Sequence, residues 1–122
     1  LDRYQLARQL QSILLDLEKA EEAYFQYRAR LADIKYRISL KESELVVSTD
    51  LIDGKNEDTR KRQLFHHTSS LHKEKTKVIE QLEKAKRRVE GLERKYQTAQ
   101  LTIRLLLTPG FEISFLDESI LS

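Results

Sequence analysis

The chain has 122 residues, 39% hydrophobic and 34% charged, with one proline, three glycines, no cysteine and a formal net charge of +2. Such a charge content with so few breakers is the composition of long helices and not of a compact mixed domain. Lack of cysteine excludes disulfides and thiolate metal sites; no stretch is apolar for the length a bilayer needs and no basic-then-apolar signal pattern opens the chain, so a cytoplasmic protein with no membrane association is expected.

The first arm carries apolar residues seven apart at Leu10, Leu17, Tyr24, Leu31, Ile38, Leu45 and Ile52, interleaved with Leu6, Ile13, Ala20, Tyr27 and Ile34. Rows offset by three and four residues are the a and d seam of a coiled coil, broken here only at Lys41 and Ser48. Eight basic residues up to Lys41 balance eight acidic ones up to Glu44. The run Leu45-Val46-Val47-Ser48-Thr49 is poor in helix formers, because β-branched residues lose rotamer freedom in a helix, so fraying is expected there.

The arm runs into Asp53-Gly54-Lys55-Asn56. Gly54 lacks the Cβ that penalises the left-handed conformation and is expected to end the first helix, while Asn56 is expected to cap the next one, with Glu57 and Asp58 favourably placed against the helix dipole. A stop and a start this close force antiparallel neighbours. The fold class predicted is therefore all-α: a long two-helix antiparallel coiled-coil hairpin over residues 1–108, with a helix over about 3–53, a turn over about 53–56 and a helix over about 57–107. Each arm of about 50 residues would be roughly 75 Å long at 1.5 Å per residue.

In the second arm, Leu64, Leu71, Val78, Ala85, Leu92 and Ala99 form one row, and Thr68, Lys75, Leu82, Val89, Tyr96 and Ile103 the other. A fold point between Gly54 and Lys55 sets Leu45 opposite Leu64, Ile38 opposite Leu71, Leu31 opposite Val78, Tyr24 opposite Ala85 and Leu6 opposite Ile103, with Arg37 near Glu74. A register one heptad shorter gives comparable charge pairs but needs a longer loop. Polar residues at seam positions, with Ser48 opposite Lys61 and Lys41 opposite Thr68, make the half near the turn less tightly sealed than the base. Either they fix register or that half opens to a partner helix.

Residues 55–95 hold thirteen Lys and Arg against seven Asp and Glu, a net of +6. The asymmetry reads as a solvated face laced with i,i+4 pairs, or as a surface for phosphates drawn from Lys55, Arg60, Lys61, Arg62, Lys73, Lys77, Arg87 and Arg88. Gly91, on the outer face, costs about 1 kcal/mol relative to alanine, which either a close contact with another chain or drift would explain. His66, His67 and His72 contain no pair three or four apart, so no metal site is expected. Gly-rich phosphate loops and nucleophile turns are missing from the sequence, and a two-helix assembly buries too narrow a stripe to enclose a substrate. No catalytic residue and no cofactor are expected.

The second arm ends in an apolar patch, Leu101, Ile103, Leu105, Leu106 and Leu107, that more than fills a two-helix seam, before Pro109-Gly110 stops the helix. The tail, residues 109–122, is again apolar through Phe111 and Phe115 and is expected to fold back over the patch or dock on another copy. A homo-oligomer, dimer or tetramer, with a protein partner is the first functional expectation. A nucleic-acid accessory role for the basic arm is the alternative.

The string Gly54-Lys55-Asn56 followed by Arg60, with the second-arm ending Ile103-Arg104-Leu105-Leu106-Leu107, resembles small helical-hairpin proteins encoded by phages and prophages. The resemblance covers roughly residues 31–107; the tail after Pro109 and the histidines depart from it. It implies a helical hairpin and lends no activity. Through the neighbourhood of replication or recombination genes in which some members lie, it implies nucleic acid or its binding proteins as partners.

Overall fold

A computed structural model describes residues 2–48 and 52–108. They form three helices, α1 (Arg3–Val47), α2 (Glu57–His67) and α3 (Ser69–Leu106), and the two long ones, α1 and α3, pack against each other. The predicted tail lies outside the described residues.

Asp2 opens α1 by a reciprocal cap. Its Oδ1 accepts from the backbone N–H of Gln5 at 2.7 Å, and Gln5 Oε1 accepts from the N–H of Asp2 at 3.3 Å. This satisfies two of the donors that a helix start leaves free. The far end falls short of the expected residue 53, since α1 stops at Val47. Val46 and Val47 are both largely exposed, so their poor helix propensity is not offset by packing. The connection between α1 and α2 is accordingly residues 48–56, longer than the four-residue turn expected.

The second arm is interrupted once, at Thr68. Its hydroxyl donates to the carbonyl of Leu64 at 2.8 Å and more weakly to that of Phe65, and its backbone N–H is shared between the same two carbonyls. The backbone there has φ −109° and ψ 11°, away from helical values. Threonine bonding back to the preceding turn competes with the regular ladder and bends helices, and the sequence pattern, which reads helix on both sides, does not show it.

The chain divides into two units. In the unit of residues 2–24 and 84–108, Leu6, Ile13 and Ala99 are buried, with Leu10, Tyr96, Ile103 and Leu106 packed on them. Ala20 and Ala85 are buried as well. Thr102 is also buried, its hydroxyl bonded to the Thr98 carbonyl.

In the unit of residues 25–83, the core is Ile34, Ile38 and Val78, with Leu31 and Leu71 against it. Ile34 is only 1% exposed and Leu45 is buried too. Beside this core Arg37 joins both helices: Nε meets Asp33 at 3.0 Å and Nη2 meets Glu74 at 3.2 Å. The hydrogen bond and charge of Glu74 hold the guanidinium above its ordinary pKa, with Asp33 adding to them. In both units the apolar residues of the two interleaved rows are buried or half-buried, whereas Lys41 is exposed.

Candidate interaction surfaces

The turn residues act on α2. Asn56, in extended backbone at φ −126°, caps the helix by accepting from Thr59 N–H at 2.8 Å, and Glu57 and Asp58 occupy its first turn. Gly54 does not serve as the left-handed stop expected of it. Its φ lies outside the positive range, and α1 has already ended at Val47. Space is what requires glycine there. A Cβ would lie 2.8 Å from the Thr59 methyl and 3.0 Å from the Arg60 nitrogen. Gln63, which sequence reasoning missed, fastens the segment from α2: its Oε1 accepts from Gly54 N–H at 3.0 Å and its Nε2 donates to Asp53 at 2.7 Å. An amide donates and accepts at once, so one glutamine holds two neighbouring residues.

At the end of α3, Leu101 and Leu107 are 57% and 59% exposed, while Ile103, Leu105 and Leu106 are half-buried. Residues four apart share a helix face, so Leu101 and Leu105 form a pair distinct from the row that holds Ala99 and Ile103. Phe111 and Phe115, assigned to the same surface from sequence, lie outside the described residues.

Lys55, Arg60, Lys61, Arg62, Lys73, Lys77, Arg87 and Arg88 are all exposed. Lys61 pairs with Glu57 at 3.3 Å; among the described residues none of the other seven is held in an ion pair. Arg60, Lys61 and Arg62 are consecutive in α2 and therefore fan over about 200° of its circumference. They do not present one flat surface, whereas Lys73 and Lys77, one turn apart in α3, do.

The histidines separate. His66 and His67 meet edge to face at 5.5 Å, both exposed, whereas His72 lies against Phe65 with ring centroids 4.9 Å apart. Among the described residues no group of three or more His, Asp or Glu is placed to hold a metal ion, and no helix is long and apolar enough to cross a membrane. Phe65 and His72 belong to a shallow depression of about 360 Å³, completed by Ser69, Lys73, Lys75, Thr76 and Ile79. A smaller one of about 220 Å³ is formed by Tyr24, Lys86, Val89, Glu90 and Glu93. Both are open surface concavities. Compared with known protein families, curated proteins and solved structures, the chain matches none.

Proposed function

We propose that this protein is non-enzymatic and works by self-association and protein binding, as an antiparallel coiled-coil hairpin whose apolar base drives assembly into a dimer or tetramer. The observation that carries the reading is the exposure of Leu101 and Leu107 beside half-buried Leu105 at the end of α3, where two packed helices already have a filled seam. Exposed apolar side chains clustered at one place mark an interaction site more often than idle surface. Support for the hairpin comes from the partners inside each unit. Arg37 bonds Glu74, Ile38 and Leu31 share a cluster with Leu71 and Val78, and Leu6 shares one with Ile103. A fold point between Gly54 and Lys55 is compatible with these partners. A cytoplasmic setting fits a chain without cysteine. Kinship with small phage and prophage helical hairpins remains part of the same proposal.

Light scattering over a concentration series tests it. The chain should give the mass of a dimer or tetramer, and Leu105→Lys with Leu107→Lys should reduce it to monomer while the circular dichroism stays helical. A wild-type monomer at all concentrations overturns the reading.

A second reading is supported by the seven exposed basic residues without ion-pair partners. Such side chains neutralise phosphates without reading sequence. Here the protein binds nucleic acid as an accessory factor. Affinity for a DNA duplex should then fall steeply with salt and be lost on Arg60→Glu, Lys61→Glu and Arg62→Glu, with assembly intact. Binding that ignores salt removes this reading.

A further inference from the structure

Phe65, His72 and Ile79 recur every seven residues, each one position beyond the seam residues Leu64, Leu71 and Val78. One residue is about 100° of helix, so the three form a stripe beside the seam and not within it. Phe65 is 56% exposed and Ile79 38%. Although Phe65 and His72 are two turns apart, their rings meet at 4.9 Å across the Thr68 interruption, which falls between them. Small Ser69 and Thr76 lie between the larger residues, which leaves the 360 Å³ depression, and Lys73 and Lys75 stand at its edges. The result is an apolar trough with a basic rim, and the self-association and DNA readings above use neither its aromatic nor its small residues.

The chain itself carries a segment of the opposite character. Residues 111–121 hold Phe111, Ile113, Phe115, Leu116, Ile120 and Leu121 together with Glu112, Asp117 and Glu118, and no Lys, Arg or His. Apolar side chains match the trough and carboxylates match the rim. Reach decides which copy supplies the segment. Ile79 and Leu106 both belong to α3, which rises about 40 Å between them at 1.5 Å per residue. Phe111 follows Leu106 by only five residues, at most about 18 Å of extended chain. Even Phe115 and Leu116 follow Leu106 by only nine and ten residues, at most about 36 Å of extended chain, so in the same chain they fall short of Ile79, whereas those of a second copy are under no such limit.

We infer that the trough of Phe65, Ser69, His72, Thr76 and Ile79 is the docking site for residues 111–121 of a second copy of this chain. The inference rests on the self-association reading and adds to it a specific contact. Two copies that exchange tails reciprocally make a self-complementary interface that closes as a dimer.

The test is a photo-crosslink in the full chain. Phe115→p-benzoylphenylalanine chain of natural isotopes is mixed with an equal amount of ¹⁵N-labelled wild type, equilibrated, irradiated and digested for mass spectrometry. Position 115 should attach to ¹⁵N peptides between Phe65 and Ile79. The yield should fall at least tenfold when the labelled chain carries Phe65→Asp and Ile79→Asp. A milder labelled variant, Lys73→Glu with Lys75→Glu, reverses the rim, keeps the apolar stripe and should lower the yield severalfold; an unchanged yield counts against the proposal even if the double aspartate chain misfolds. Attachment to Leu101–Leu107, in either chain, overturns the trough as the docking site and leaves self-association standing. A monomeric mass with no attachment to labelled chain overturns both.

Discussion

Gln63 reaches back from α2 to Gly54, its Oε1 accepting the glycine N–H at 3.0 Å while the same amide donates to Asp53. The segment is thereby drawn against Thr59 and Arg60 so closely that a methyl group has no room. Gly54→Ala should destabilise the chain by about 1–3 kcal/mol, the usual range for overpacking. Thr59→Ser, which deletes the nearer obstacle, should recover part of that loss in urea unfolding of the double variant. The Arg60 nitrogen is backbone and cannot yield, so full recovery is not expected.

Gly91 is the contrasting case. It lies inside α3, where an added Cβ would meet only the tip of Arg94 at 3.9 Å. Nothing within the chain requires glycine there, and alanine is the better helix former by about 1 kcal/mol. Gly91→Ala should raise the urea midpoint accordingly and leave the assembled mass unchanged. If the mass instead falls, glycine is there to admit a neighbouring chain.

The pairing of long helices was legible because heptad rows are a long-range signal. Leu6, Ile13, Ala20 and Ile34 fall on one seven-residue row and Ile38 on the other, and each is buried. The cap at Asn56 was legible from local chemistry, since a short side-chain acceptor ahead of Glu57 and Asp58 has few other uses. The roles of Gly54 and Gln63 were not. Whether glycine serves a positive φ or a close approach depends on what lies next to it, and Gln63 contacts residues nine and ten positions away. Thr68 was read only as a polar seam residue, because its back-bonding to Leu64 is invisible to a count of apolar periods. The trough escaped for a similar reason. His72 and Thr76 break its apolar pattern, and only the contact of Phe65 with His72 makes it visible.

Ile34 provides the cleanest measure of how much the seam contributes. It is 1% exposed and sits in the cluster with Ile38 and Val78. Ile34→Ala should cost about 2–4 kcal/mol, the lost transfer energy plus the cavity left in a narrow core. Tyr36, two residues on and 66% exposed, is the control: Tyr36→Ala should shift stability by no more than about 0.5 kcal/mol. Equal costs at the two positions would mean that the buried row is not what holds the helices together.

Thr68 tests whether the interruption between α2 and α3 is made by one hydroxyl. The side chain is fully buried and donates to the Leu64 and Phe65 carbonyls, both of which also receive the Thr68 N–H. Removing the hydroxyl therefore leaves neither carbonyl without a donor, which avoids the usual penalty for orphaning a buried group. Thr68→Ala also substitutes the best helix former for a β-branched residue. The ¹³Cα shifts of His67, Thr68→Ala and Ser69 should move toward helical values as α2 and α3 join. Stability should change by no more than about 1 kcal/mol, since the small cavity and the gain in propensity oppose each other. Thr68→Val separates the causes by keeping the shape and losing only the donor. If valine restores helical shifts as well, the hydroxyl bends the helix; if only alanine does, the cause is the β-branch. Shifts that stay non-helical in both variants would assign the interruption to packing around Phe65 and Leu71.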